Sequence, residues 1–102
     1  MHIGNREIGQ NASPFIIAEM SGNHNQSLDR AFEIVDAAAA TGAHAIKLQT
    51  YTADTITLNV RGGDFDINDE KSLWKGRNLH DLYKEAHTPW EWHKPIMERA
   101  RS

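Results

Sequence analysis

Two short strand-like runs flanking one helical period constrain this chain more than any other feature. Phe15 to Met20 (FIIAEM) is an apolar run interrupted by a single carboxylate, and Ala43 to Thr50 (AHAIKLQT) is a second run of strand character. Between them Leu28, Ala31, Phe32, Val35, Ala38 and Ala39 recur at helical spacing. Ser27 is placed to cap the helix start, Asp29 falls in its first turn, and Gly42 stands where a helix would stop. Strand, helix, strand over this length reads as a βαβ unit with a right-handed crossover, so the two strands are expected to lie parallel. Nearly continuous apolar strands are those of parallel sheets covered by helices, which makes the fold class α/β.

The remaining sequence is less regular. Residues 53–79 show no clear period, contain Gly62 and Gly63 and carry an acidic run, so they read as a long loop with room for one hairpin. Thr88-Pro89-Trp90-Glu91 has the form of a capping box with proline at the first helical position. The helix it announces passes through Trp92, Ile96, Met97 and Ala100, and Pro95 is expected to kink it. No Gly, Asn or Pro stops that helix before Ser102, and a parallel pair with two helices leaves both sheet edges open. The expectation is that residues 1–102 are an N-terminal fragment of one larger domain, with no domain boundary inside.

Composition narrows the functional class by exclusion. With 102 residues, 39% hydrophobic, 25% charged and a formal net charge of −3, there is room for one domain at most. The sequence has no cysteine, so it offers neither a disulfide framework nor a thiolate metal cage, and a cytoplasmic setting fits. Met1 to Pro14 lacks the basic and apolar regions of a signal peptide, and no stretch approaches the roughly 20 apolar residues of a membrane span. The 11 Lys and Arg are scattered among 14 Asp and Glu, so no nucleic-acid footprint is expected.

Strand alternation sorts the candidate site residues. Phe15, Ile17 and Glu19 share one face of the first strand, and Lys47 and Gln49 share one face of the second; Ile16, Ala18, Met20, Ile46 and Leu48 point the other way and can pack on helices. Glu19, Lys47 and Gln49 sit near strand C-terminal ends, where barrel enzymes build their active sites. Lys47 offers a cation for phosphate or carboxylate, Gln49 a donor and acceptor for sugar hydroxyls, and Glu19 an acceptor or proton-transfer group. The plain alternative is a structural Glu19–Lys47 ion pair across adjacent strands. Asn23 and His24, in the loop after the first strand, either line the pocket or hold the loop through Asx-type bonds.

Other signals carry less. Asp64, Asp66 and Asn68 have calcium-loop spacing, but Asp69 stands where glycine is required and Lys75 where glutamate is, leaving a solvated acidic loop. His80, His87 and His93 lack the companion ligands of a metal motif and read as helix-surface histidines. Trp92 belongs to a packing stripe with Ile96 and Ala100, which leaves Trp74 as the tryptophan to consider near a ligand.

The stretch IIAEMSGNHNQSLDRAFEIVDAAAATGAHAIKLQTY resembles the opening of the sialic acid synthase family, and LWKGRNLHDLYKEAHTPWEWHKPIMERA resembles its pseudaminic acid branch more than its N-acetylneuraminate branch. The resemblance implies the N-terminal portion of a (β/α)8 TIM barrel, about two βα units plus a long loop. It implies condensation of phosphoenolpyruvate with an N-acetylated amino sugar, 2,4-diacetamido-2,4,6-trideoxy-altrose, to give a nine-carbon sugar acid and phosphate. A divalent metal, typically manganese, would polarise the sugar aldehyde. By the same resemblance Glu19 matches an active-site acid near the sugar, Lys47 a phosphoenolpyruvate-binding lysine and Gln49 a sugar contact. The metal ligands would lie beyond Ser102, the fragment alone would be inactive, and the parent would be a homodimer. Met20 and Gln26 depart from the residues common in the family, and neither departure touches Glu19, Lys47 or Gln49.

Other readings stand beside this one: an N-acetylneuraminate synthase, a class I aldolase with Lys47 as its Schiff-base lysine, and a small non-catalytic module that binds a sugar phosphate or a protein.

Overall fold

Two three-residue strands lie side by side and parallel, joined by a long helix. In the computed structural model, which describes residues 1–102, the elements are β1 (His2–Ile3), β2 (Arg6–Glu7), β3 (Ile17–Glu19), α1 (Leu28–Ala40), β4 (Ala45–Lys47), α2 (Ala53–Ile56), α3 (Leu79–Ala86) and α4 (His93–Arg101). β3 and β4 pair in register Ile17↔Ala45, Ala18↔Ile46 and Glu19↔Lys47, the parallel arrangement expected of a βαβ unit.

α1 forms where its signals place it. Ser27 is extended at φ −112° and ψ 120°, and its hydroxyl accepts the Arg30 amide at 3.1 Å, meeting one of the helix's unpaired donors. Beyond the last turn Gly42 takes φ +82°, a left-handed conformation that a side chain would oppose. The inner stripe of the helix, Ala31 and Val35, packs with Met20 from the strand side and Ile96 from α4. Leu28, Phe32, Ile34, Ile46, Leu48 and Trp92 surround this cluster.

The expected alternation appears on both strands, with a difference in burial. Met20, Ile46 and Leu48 face the helices, but Ile16 and Ile17 are 51% and 52% exposed rather than covered. The strands are also shorter than the apolar runs that predicted them. Helices cover one face of the pair only, and the face carrying Ile17, Glu19 and Lys47 is open.

Residues before β3 form a small antiparallel hairpin, His2↔Glu7 and Ile3↔Arg6, around a two-residue turn in which Gly4 takes φ +57°. Its Gly-Asn turn is of the kind that favours such a hairpin. Within 53–79, α2, a 3₁₀ turn at Gly63–Phe65 and an isolated bridge Asp66↔Asn78 replace part of the expected loop. The Ile67 amide to Arg77 O and the Gly76 amide to Ile67 O, both 2.8 Å, supply the one hairpin there was room for.

α3 was not anticipated, although Leu79, Leu82, Tyr83 and Ala86 carry its spacing. Asn78 caps it, its Oδ1 accepting the His80 amide at 3.1 Å, while its Nδ2 donates to Val60 O at 2.6 Å and Asp66 Oδ1 at 3.0 Å. One buried amide thus starts the helix and gathers the loop before it.

One expectation at the far end fails. Thr88 does not cap a helix: Pro89 holds the N-cap position of a 3₁₀ turn at Trp90–Trp92, no side chain caps that turn, and α4 follows directly from it. The Thr88 hydroxyl has a tertiary partner instead, His24. Pro95 lies in the first turn of α4, where amides lack an in-helix acceptor in any case, and α4 runs on through it to Arg101.

Candidate functional site

Register puts Glu19 and Lys47 directly opposite each other at the C-terminal ends of β3 and β4. Lys47 Nζ donates to Glu19 Oε1 at 3.0 Å, and the two side chains are 57% and 52% exposed respectively. The ion pair envisaged as the plain alternative therefore exists. At this exposure such a pair contributes about 0–1 kcal/mol, which makes it a weak reason to keep both charges there and leaves them open to a ligand. Gln49, two residues past Lys47 and half-buried, lies just beyond the end of β4. Its carbonyl accepts the Thr88 amide at 2.9 Å.

The loop from Ser21 to Ser27 leaves β3 beside Glu19 and is tightly determined. Ser21, Asn25 and Gln26 all have left-handed backbones, at φ 52°, 48° and 58°, a conformation that costs roughly 1–3 kcal/mol per non-glycine residue and persists only where surrounding bonds impose it. Those bonds are present. The Asn23 amide and its Nδ2 both donate to Met20 O, at 3.2 and 2.9 Å. The Gln26 amide donates to His24 Nδ1 at 3.1 Å, and Gln26 Nε2 donates to Glu85 O and, at 2.7 Å, to His87 O. Gly22 packs against Ala86 so closely that a Cβ would lie 2.9 Å from the Ala86 Cβ.

Of the two roles the sequence left open to His24, lining the pocket as a substrate contact or holding the loop, the first is overturned: the ring is 0% exposed, with Trp92 edge-on at 5.0 Å and both ring nitrogens engaged. Because Nδ1 accepts the Gln26 amide, the neutral ring carries its proton on Nε2 and donates it to Thr88 Oγ1 at 3.0 Å. Burial holds the His24 pKa below its ordinary value, and the neighbouring His87 charge pushes the same way. A ring so enclosed has no edge for a ligand. Asn23 keeps its side chain exposed while spending its amide nitrogen on the loop.

The histidines read as idle are also engaged. His80 is buried and bonded through Nε2 to Asp54 at 2.7 Å, joining α2 to α3. His93 Nε2 meets the Thr50 hydroxyl, and the His87 ring donates to Lys84 O. No three His, Asp or Glu side chains converge as metal ligands, so these residues do not by themselves build a metal site. Trp74 is half exposed in the long loop and makes no side-chain bond to Glu19, Lys47 or Gln49. A cavity of about 100 Å³ lined by Val35, Ala38, Ala39, Ile46 and Ala100 is apolar and faces α1 rather than the Glu19–Lys47 face.

Comparison with known proteins gives this geometry its context. The NeuB family profile matches residues 34–102. Pseudaminic acid synthase from Campylobacter jejuni is 47% identical over 102 residues, covering 100% of this chain and 29% of that protein. N,N'-diacetyllegionaminic acid synthase from Legionella pneumophila is 47% identical over 95 residues, 92% of this chain and 26% of the relative. Among solved structures, the spore coat polysaccharide biosynthesis protein SpsE from Bacillus subtilis superposes with a TM-score of 0.64 at 33% identity, covering 99% of this chain and 24% of that one. The chain therefore spans 24–29% of the length of these three relatives.

Proposed function

This chain belongs to the NeuB family, and from that premise we propose that the full-length protein is a pseudaminic acid synthase. In this reaction phosphoenolpyruvate condenses with 2,4-diacetamido-2,4,6-trideoxy-altrose to give the nine-carbon sugar acid and phosphate. The observation that carries the proposal is the Glu19–Lys47 pair, 3.0 Å apart and half exposed at the ends of two parallel strands. The 47% identity to the Campylobacter jejuni pseudaminic acid synthase over the whole chain favours that amino sugar. The α/β arrangement with one open face, together with its likeness to SpsE, supports reading these strands as the first two of a (β/α)8 barrel whose active site opens at strand C-termini.

Each group has a distinct task. The enol carbon of phosphoenolpyruvate forms a bond to the sugar aldehyde carbon, and the aldehyde oxygen takes up a proton. Water adds to the cationic carbon left behind, and the C–O bond to phosphate breaks. The Lys47 ammonium compensates the phosphate and carboxylate charge of phosphoenolpyruvate, and in exchanging Glu19 for a more highly charged partner it loses little. Glu19, released from Lys47, accepts a sugar hydroxyl or handles the proton at the aldehyde end. Gln49 orients sugar hydroxyls as donor and acceptor, and Asn23, its Nδ2 held by Met20 O, offers its amide oxygen as an acceptor. Holding two reactants at bonding distance is itself a large contribution to rate.

No helix is long and apolar enough to cross a membrane, and phosphoenolpyruvate as co-substrate is consistent with a cytoplasmic enzyme. The aldolase alternative fits less well. A Schiff-base lysine needs a desolvated amine, whereas the Lys47 side chain is 57% exposed and paired with a carboxylate.

The test is phosphate release by the full-length protein with phosphoenolpyruvate, manganese and the diacetamido sugar, alongside its Lys47→Ala variant. Release by the parent and its loss in the variant is the expected result. Release with N-acetylmannosamine in place of the diacetamido sugar would move the protein to the N-acetylneuraminate branch.

A further inference from the structure

Thr88 touches the machinery of both strands while belonging to neither. It is 0% exposed and sits in the link between α3 and the Trp90–Trp92 turn. Its hydroxyl is bonded to His24 Nε2 at 3.0 Å, and its amide donates to Gln49 O at 2.9 Å. Pro89 restricts the preceding residue to extended backbone, which suits an amide aimed sideways at β4 as a ladder bond would be. One residue therefore joins the loop that follows Glu19 to the backbone of Gln49.

The stitch is doubled by Gln26. Its side-chain amide donates to Glu85 O and to His87 O, so the Ser21–Ser27 loop grips the segment leading into Thr88 from the other side. Gly22 closes the contact against Ala86. Within this frame lie the left-handed Ser21, Asn25 and Gln26, whose conformations need bonds from outside the loop to persist.

We propose that Thr88 is a positioning residue, which through its hydroxyl on His24 and its amide on Gln49 O holds the ends of β3 and β4 so that Glu19 and Gln49 meet the amino sugar while Lys47 meets phosphoenolpyruvate. The proposal rests on the condensation reading for its activity arm only. It assigns the Thr-Pro pair a role in aligning the site, and it gives His24 a task that a buried ring can perform.

The experiment compares Thr88→Val, Thr88→Ser and Gln26→Ala in the full-length protein. Thr88→Val keeps the shape and removes the hydroxyl, Thr88→Ser restores the hydroxyl, and Gln26→Ala cuts the exposed half of the stitch without entering the core. Misplacing reacting groups lowers kcat/KM for the amino sugar on the order of 10-fold to 100-fold, with KM for the sugar raised, in Thr88→Val and to a lesser degree in Gln26→Ala. Thr88→Ser recovers to within a few fold. Hydrogen exchange of amides 20–27 and 47–50 quickens in Thr88→Val and Gln26→Ala and stays slow in Thr88→Ser. A lowered melting temperature with kcat/KM of the folded enzyme and exchange at both strand ends unchanged overturns the proposal. Should Thr88→Val fail to fold, Gln26→Ala decides by the same two readouts. A parent protein that releases no phosphate with either amino sugar defeats the substrate assignment, and the exchange comparison still decides the role of Thr88.

Discussion

Arg99 of α4 clasps Asp36 of α1 with two donors, Nε to Oδ1 at 2.8 Å and Nη2 to Oδ2 at 2.6 Å, while its guanidinium carbon lies 5.8 Å from the Phe32 ring centre. This fork joins the two helices that cover the strands, and its planar geometry is one that lysine cannot reproduce. The hydrogen bonds from Arg99 hold the Asp36 carboxyl below its ordinary value of 3.8. A carboxyl whose folded pKa is depressed adds stability above its unfolded pKa and loses it as pH falls through the folded value. In acid titration followed by circular dichroism, Asp36→Asn is therefore expected to remove stability at neutral pH and to flatten the loss below about pH 4. Parallel acid curves for parent and variant would count against the fork as a stabilising contact.

His24 predicts a second pH effect in a higher window. Its folded pKa is lowered from 6.5, first by burial and then by His87, so the unfolded chain takes up the proton more readily than the folded one. Stability is full above pH 6.5 and declines as pH falls through that value towards the lower folded pKa. Denaturant midpoints measured at pH 7.5 and 5.5, values chosen to bracket the ordinary histidine range, should fall in the parent. They should fall less in His24→Gln, whose amide does not titrate.

Gly22 tests the packing of the loop on α3. A methyl group there would meet Ala86 Cβ and Ala86 O, each at 2.9 Å, closer than side chains tolerate. Gly22→Ala should destabilise the protein by about 1–3 kcal/mol through overpacking, read as a lowered denaturant midpoint. Pairing it with Ala86→Gly should return part of the loss, because the clash is partly with the Ala86 Cβ.

Lys47 separates stability from function. Its bond to Glu19 is solvent-exposed, so Lys47→Ala should change unfolding free energy by less than about 1 kcal/mol while abolishing phosphate release. A large loss of stability in Lys47→Ala would recast the pair as a structural feature.

The core offers a contrast. Ile96 is 0% exposed among Met20, Ala31 and Val35, and Ile96→Ala should cost about 2–5 kcal/mol. Leu73, 93% exposed, should tolerate alanine within about 0.5 kcal/mol. Thermal melting of the two variants side by side gives the comparison.

The sequence by itself determined what local chemistry decides. Helical period, the Ser27 cap and the Gly42 stop place α1, and the two flanking runs imply the parallel pair. Alternation puts Glu19 with Ile17 on one face of its strand and Lys47 with Gln49 on one face of the other, because side-chain direction within a strand depends only on parity, while the register that sets Glu19 opposite Lys47 belongs to the tertiary fold. α3 was equally legible in Leu79, Leu82, Tyr83 and Ala86, with Asn78 as its cap. Tertiary structure alone decided the rest. Thr88 and Glu91 have capping-box spacing, yet the hydroxyl has a partner 64 residues away in His24. A hydroxyl goes to whichever acceptor or donor the folded chain brings within reach, and no local pattern records that distance. The burial of His24, the Asp54–His80 bond and the uncovered face beneath Ile17 have the same origin. Each depends on which segments, far apart in sequence, exclude water from one another, and that is a property of the packed molecule rather than of any short stretch of it.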